Sequence, residues 1–193
     1  MNLSHENKFL YVHIPKSGGM SISSALGLKN PVHVSQSEII KKHGADKDIS
    51  NYYKFSFVRN PWDRFVSLYF YCMTGSTMIQ KNKNAKPVLD FKSFCKIFGS
   101  GFYIGNSYVW NTHYQPQTNF INLSDIDFVG RFENMQHDFN TVCDKIGIPQ
   151  QQLSHTNKSK HKHYTEYYNK ETRQIVAKKY AKDIECFGYK FGN

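Results

Sequence analysis

One short segment of the chain carries the residue types that bind an anion. Lys16 supplies a full positive charge, and Ser17 and Ser21 supply hydroxyl groups. Gly18 and Gly19 allow a tight turn in which successive backbone N–H groups point at one spot, a common way of binding a phosphate group. The segment therefore indicates an anion-binding loop. The alternative is a turn whose glycines serve only close packing.

The order of these residues differs from that of the common phosphate loop of NTPases. In that loop the lysine follows the glycines, and a Ser or Thr after the lysine binds magnesium. Here Lys16 precedes Gly18 and Gly19. A nucleotide kinase or another NTPase of this type is therefore the less favoured hypothesis.

The segments on either side of the loop predict how it is held. Residues 9–14 form an almost continuous apolar run, which is typical of a strand buried on both faces, and Pro15 ends it. Residues 20–26 carry small and apolar side chains that fit a helix packed close to a sheet. The loop thus connects a buried strand to a helix.

A second segment has the same organisation. An apolar strand over residues 55–58 ends at Arg59, and Asn60 and Pro61 are suited to the N-cap and first position of a helix. Ser67 follows about two turns into that helix. Arg59 and Ser67 are therefore candidates for binding a further phosphate group together.

The two segments together resemble the two cofactor signatures of the sulfotransferases that use 3′-phosphoadenosine 5′-phosphosulfate (PAPS). The likeness is closest to the carbohydrate sulfotransferase group, which includes the chondroitin and heparan enzymes. It continues through residues 127–134 and 155–159 to Tyr189, and so covers nearly the whole chain.

The resemblance implies roles for particular residues. In the family, a P-K-[ST]-G-[GT]-[ST]-like loop holds the 5′-phosphosulfate. Its counterparts here are Pro15, Lys16, Ser17, Gly18, Gly19 and Ser21, with Met20 as an extra residue before the serine. An R-x-P-x-x-R-x-x-S element holds the 3′-phosphate and is matched by Arg59, Pro61, Arg64 and Ser67. A late basic loop generally folds over the same phosphate, and Lys158 and Ser159 are the candidates for it.

The resemblance implies that a sulfuryl group is transferred from PAPS to an acceptor hydroxyl. This reaction needs a base that takes the proton of the acceptor hydroxyl. The group has an H-[WY]-x-P-Q element, which residues 113–117 match, and a histidine titrates in the useful pH range. His113, which is predicted to lie in a loop, is therefore the candidate base. Lys16 would stabilise the leaving phosphate. The alternative is that His113 only shapes the acceptor loop. The resemblance implies PAPS as co-substrate, 3′-phosphoadenosine 5′-phosphate (PAP) as product, and no metal.

Composition limits the class of protein. The chain has 193 residues, 39% of them hydrophobic, which is enough for one domain with one good core. The net charge of +10 favours an anionic partner, so a non-enzymatic polyanion-binding protein is a further alternative. The four cysteines are far apart and lack metal-site spacing, which predicts buried free thiols.

The order of elements predicts an α/β fold. We expect three α/β/α layers around a central parallel sheet, with a P-loop-like nucleotide site, in one sulfotransferase domain over residues 1–193. Further short strands are predicted at 30–34, 118–122 and 127–130, and a polar surface loop at 74–87. The final helix is predicted at 170–184. The absence of a signal peptide or apolar span predicts a soluble cytoplasmic protein. Its expected partner is a sulfate acceptor, for which the resemblance favours a glycan, and not a nucleic acid.

Overall fold

Three neighbouring strands of the sheet are parallel in the computed structural model, which describes residues 2–44, 49–74, 89–104, 106–154 and 162–193. In these ranges the sheet has four strands in the order β1-β2-β3-β4. They are β1 (Leu3–Ser4), β2 (Phe9–Val12), β3 (Tyr53–Val58) and β4 (Phe128–Arg131). β1 pairs antiparallel with β2, and the other neighbours are parallel. The prediction of an α/β fold with a mostly parallel sheet is confirmed.

The chain divides into two compact units. The first unit extends to Arg59 and resumes at Gln117, so it contains the sheet. The second unit runs from Asn60 to Pro116 and includes the C-terminal residues to Asn193. The single domain expected from the sequence stays a prediction.

The core of the first unit lies on the sheet. Tyr11 on β2 is in register with Phe55 on β3, which in turn is in register with Phe128 on β4. A helix, α6 (Met135–Ile146), contributes Phe139 to the same core. Continuous apolar runs thus form strands because their side chains are removed from water by helix packing.

Two more helices belong to the first unit. α1 (Gly19–Ala25) follows the anion-binding loop, and α2 (Gln36–His43) begins at Ser35. The Ser35 side chain accepts from the backbone N–H of Glu38, whose carboxylate accepts from the Ser35 N–H, so a capping box fixes the start of α2.

The second unit is helical in its described residues. Its helices are α3 (Pro61–Thr74), α4 (Phe91–Gly99), α5 (Ser107–His113), α7 (Lys170–Lys179) and α8 (Ala181–Phe187). Its core is largely aromatic. The ring of Phe65 on α3 lies 5.3 Å from that of Phe94 on α4 and 6.3 Å from that of Tyr180 (centroid distances).

Two predicted strands are wrong. Residues 30–34 are irregular, because the side chain of Asn2 bonds both to the Val32 carbonyl (2.7 Å) and to the Val32 N–H (2.9 Å). Residues 118–122 begin in a 3₁₀ turn (Gln117–Asn119), and the Phe120 carbonyl accepts from the N–H of Gln36 in α2. In both segments the backbone bonds that a strand would give to a neighbour go elsewhere.

Other elements also differ from expectation. The predicted final helix is divided at Tyr180 into α7 and α8, and the buried face then continues through Asp183 and Phe187. Cys72, Cys95 and Cys143 are buried free thiols as predicted, whereas Cys186 is exposed. The predicted surface loop at 74–87 lies almost wholly outside the described residues. Among the helices that the structure describes, none is both long and apolar enough to span a bilayer.

Candidate functional site

The candidate site of the first unit lies where its parallel strands end. β2 is followed by the segment that contains Lys16, β3 by Arg59, and β4 by a 3₁₀ turn (Phe132–Asn134). Because the carboxyl ends of parallel strands meet at one edge of a sheet, these three segments come together, and this is the usual ligand edge of α/β sheets.

The loop backbone after β2 is unusual at two positions. Lys16 (φ 67°) and Gly18 (φ 79°) both adopt left-handed conformations. A side chain on residue 18 would also clash, since its Cβ would lie 2.5 Å from the Met135 sulfur and 3.1 Å from the Phe132 ring. Glycine is thus required at position 18 both by the left-handed backbone and by the lack of space for a Cβ. The left-handed backbone of Lys16 is the kind of strain that is found at functional sites.

Gly19 is required by a buried histidine. A Cβ at this position would overlap the ring of His13, which stacks on Tyr11 with ring centroids 5.7 Å apart. The ring of His33 lies 4.3 Å away, and burial together with His33 lowers the pKa of His13 to about 3. His13 is therefore neutral near pH 7 and supports the loop by packing rather than by charge.

Arg59 connects the second turn to the first. Its guanidinium Nη1 donates to the backbone carbonyl of Lys16 (3.1 Å), and its Cζ lies 4.0 Å from the ring centroid of Phe132. Arg59 is buried, so the stacking on Phe132 and the bond to the loop hold its side chain in place. The structure thus brings together the two turns that the sequence singled out separately.

Gln117 is a member of this cluster that the sequence analysis did not select. Its side chain is 0% exposed. Its Oε1 accepts from the N–H of Arg59 (2.8 Å), and its Nε2 donates to the carbonyl of the same residue (2.9 Å). The Ser17 hydroxyl makes a longer contact of 3.4 Å with the same Oε1. The sequence signal that could have selected Gln117 is its place at the end of the H-[WY]-x-P-Q element.

The other candidates in the loop differ in exposure. Ser21 is buried, and its N–H donates to the Gly18 carbonyl (3.1 Å). Met20 is exposed. Lys158 and Ser159 lie outside the described residues.

Two candidates belong to the second unit. Ser67 lies buried on α3, and the expected cap of that helix is present because the N–H of Trp62 donates to Asn60 Oδ1 (3.1 Å). His113 was expected in a loop, and this is wrong: it is the last residue of α5 and is only 4% exposed. Residues 99–111 are rich in glycine and aromatic residues and show no clear helical period, which concealed the helix. The Asn106 side chain caps its start by accepting from the Val109 N–H (3.0 Å).

The surroundings of His113 define its tautomer. The ring stacks on Tyr71, with centroids 4.9 Å apart and planes 3° from parallel. Its Nδ1 lies 2.7 Å from Thr112 Oγ1, and that hydroxyl donates its one hydrogen to the Tyr108 carbonyl (2.7 Å). A Thr112 hydroxyl that donates to the Tyr108 carbonyl accepts from Nδ1–H, and in a neutral ring of that tautomer the lone pair lies on Nε2. This is the tautomer that His113 would need to act as a base through Nε2.

Arg64 belongs to the element that the resemblance assigns to the 3′-phosphate, and its contacts lie at the end of α5. It is buried in the second unit, where Nη2 donates to the carbonyls of His113 (3.0 Å) and Gln115 (2.9 Å). Its guanidinium also lies 5.5 Å from the ring centroid of Tyr180. Arg64 therefore fixes the chain at the end of α5.

No group of three or more His, Cys, Asp or Glu side chains in the described parts of the chain could hold a metal ion.

Comparisons with known proteins identify the family. The chain is 30% identical over 113 residues to an uncharacterised protein of Archaeoglobus fulgidus, covering 58% of this chain and 82% of that protein. Its fold is similar to that of mouse sulfotransferase SULT7A1, solved as a complex with PAP, with a TM-score of 0.53 and 14% identity over 94% of this chain and 84% of the mouse chain. A family model described as the sulfotransferase family matches residues 1–190. This chain therefore belongs to the sulfotransferase family.

Proposed function

We propose that this chain transfers the sulfuryl group of PAPS to a hydroxyl group of a carbohydrate, with residues 1–193 acting as one sulfotransferase domain. The observation that carries the proposal is the bond from the Arg59 guanidinium to the Lys16 carbonyl. It joins the two turns that resemble the two nucleotide signatures of the family. The mouse sulfotransferase of similar fold was solved with PAP, the product of such a transfer, which further supports the proposal.

The residues present suit a doubly phosphorylated nucleotide. The loop of Lys16, Ser17, Gly18, Gly19, Met20 and Ser21 would hold the 5′-phosphosulfate through its backbone N–H groups and the lysine. Arg59 and Ser67 would bind the 3′-phosphate, with Lys158 and Ser159 as further contacts. A 3′-phosphate distinguishes PAPS from ATP, so Arg59 is the residue that would make the site selective.

The reaction is an in-line transfer in which the protein positions groups and neutralises charge. The bond between sulfur and the bridging oxygen of the phosphate breaks, and its electron pair stays on that oxygen, where Lys16 stabilises the charge. A bond forms between sulfur and the acceptor oxygen, and the acceptor proton passes to Nε2 of His113. The products are a sulfate ester and PAP.

The surface beside His113 supports a sugar as acceptor. Tyr108 and Trp110 lie on α5 and are 51% and 47% exposed. Exposed aromatic faces offer apolar contact to the C–H face of a sugar ring. The net charge of +10 would favour a glycan that already carries negative groups.

Calorimetric titration of the purified chain with PAP and with AMP tests the nucleotide assignment. We expect PAP to bind at least about tenfold more tightly, because Arg59 and Ser67 gain the 3′-phosphate as partner. Equal affinity for the two nucleotides would contradict the proposal.

Sulfur-labelled PAPS tests the acceptor when it is incubated with a panel of glycans, phenols and tyrosine peptides and the sulfated product is identified by mass spectrometry. ATP with magnesium is the matched control, and we expect no turnover with it. Turnover of ATP without transfer from PAPS would instead indicate an NTPase, and transfer only to phenols or peptides would remove the glycan from the proposal.

A further inference from the structure

Gln117 makes contacts that bear on the proposed nucleotide site. We infer that it is a positioning residue: its side-chain amide holds Arg59 in place against the phosphosulfate loop. The inference rests on the proposed function, because it assigns this amide a role in binding PAPS. It depends on contacts within the first unit alone.

The amide of Gln117 takes the place of a strand neighbour. The pairing of β3 with β4 ends at Val58 and Arg131, so Arg59 lies one residue beyond the ladder. There the Gln117 amide accepts from the Arg59 N–H (2.8 Å) and donates to the Arg59 carbonyl (2.9 Å). Two bonds at these distances fix both the position and the orientation of the Arg59 peptide units.

The same amide also reaches the loop. Ser17 contributes its 3.4 Å hydroxyl contact to Oε1, and the Arg59 guanidinium donates to the carbonyl of Lys16 (3.1 Å). Gln117, Arg59 and the loop therefore form a closed ring of contacts. Loss of the two Gln117 bonds would therefore make the Arg59 backbone less constrained, and the position of the guanidinium that contacts the loop would be less constrained too.

The two bonds require an amide of this length. Glutamate has the same shape, but its carboxylate would face the Arg59 carbonyl with no hydrogen to donate. Methionine has nearly the same volume and neither donates nor accepts strongly. Asparagine keeps both functions but is one methylene shorter.

The chain offers a matched control in Gln36, a second buried glutamine of the first unit. Its Nε2 donates to the Asp125 carbonyl (2.8 Å), and its Oε1 accepts from the Asn122 N–H (3.0 Å). Gln36→Met therefore removes the same two kinds of amide-to-backbone bond, and in addition the contact of Nε2 with Asp125 Oδ2 (3.0 Å), without touching Ser17 or Arg59.

The experiment measures the Kd for PAP by calorimetry and the KM and kcat for PAPS in the full chain, beside denaturant unfolding. We expect Gln117→Met to raise the Kd and the KM about tenfold or more, and Gln36→Met to leave both within about twofold at a similar loss of stability. Gln117→Asn and Gln117→Glu are measured in parallel, so that a Met variant that does not fold still leaves a result.

The outcomes separate the two proposals. Wild-type protein that does not prefer PAP over AMP would overturn the proposed function and this inference with it. A wild-type preference for PAP that all folded Gln117 variants retain would overturn the inference alone. An equal loss of PAP affinity in Gln36→Met would also overturn it, because the effect would then be one of general stability.

Discussion

The backbone and the side chain of Lys16 have different roles. Its left-handed backbone shapes the loop, whereas its ammonium group supplies charge for the proposed transfer. We expect Lys16→Ala to lower kcat by about a hundredfold or more, the usual effect of removing one group that stabilises a developing negative charge. Assays with labelled PAPS check the rate, and denaturant unfolding should show nearly unchanged stability.

Lys8 is the matched control for this substitution. It is also a lysine with positive φ (48°), but it is exposed and precedes β2, so it lies at the opposite end of that strand from the loop. Lys8→Ala should retain wild-type kcat. A similar loss in both variants would assign the effect to backbone strain or to net charge.

The Thr112 hydroxyl lies 2.7 Å from Nδ1 of His113 and is expected to favour the tautomer with its hydrogen on Nδ1. Thr112→Val keeps the shape of the side chain and removes the acceptor of the Nδ1 hydrogen. We expect kcat to fall about tenfold, and about a hundredfold or more in His113→Ala, since a positioned base contributes that much. Calorimetry should give the wild-type Kd for PAP in both variants.

Thr141→Val is the control, because the Thr141 hydroxyl donates to the carbonyl of His137 four residues earlier, as Thr112 does to Tyr108. Wild-type kcat is expected there. Full activity in His113→Ala would remove this residue as the base.

At the level of single residues, the sequence revealed the charged side chains but not the residues that hold them in place. Lys16 and Arg59 were found because each ends an apolar strand, a pattern that is local in the chain. Gln117 and Phe132 were missed, because they meet Arg59 from 58 and 73 residues away, at 2.8 Å and 4.0 Å. No periodicity connects residues so far apart.

Among the elements, the strand, loop and helix around Lys16 depend on one close approach. Gly19 begins α1 directly against the His13 ring. We expect Gly19→Ala to lower the free energy of unfolding by about 1–3 kcal/mol, as overpacking does. In a His13→Ala background the same substitution should cost less, because the ring that it meets is gone.

Urea unfolding of wild type, Gly19→Ala, His13→Ala and the double variant checks this coupling. Gly27→Ala serves as the comparison, since a Cβ there meets nothing within 4 Å and adds only the strain of its positive φ (64°). Additive costs for Gly19→Ala and His13→Ala would contradict the proposed contact.

Elements were predicted well where the pattern was long and buried. β2 and the apolar residues of β3 are buried as their pattern predicted. The predicted stripe of α3 is buried too, although Arg64 and Ser67 outside it are also buried. The strands predicted at 30–34 and 118–122 were short apolar runs, and their backbones are bonded by Asn2 and by α2 instead. Such partners come from distant parts of the chain, so a short run cannot specify them.

For the whole molecule, stability should depend on pH through one buried group. Burial and His33 hold the pKa of His13 at about 3, whereas an unfolded histidine has a pKa of about 6.5. Below pH 6.5 the unfolded chain therefore binds a proton at this residue that the folded chain does not. Stability rises with pH in that window and falls on acidification, by up to about 1.4 kcal/mol per pH unit from His13 alone.

Denaturant unfolding at pH 6.5, 6.0, 5.5 and 5.0 measures this slope, in a range above the usual titration of exposed carboxylates. Because His13→Asn keeps every other histidine, the difference in slope between wild type and His13→Asn reports on His13. We expect His13→Asn to have the shallower slope, and His137→Asn, which removes an exposed histidine of α6, to match wild type. Equal slopes in wild type and His13→Asn would mean that His13 is protonated in the folded protein. The ring against Gly19 would then carry a charge into the loop that is proposed to hold the phosphosulfate.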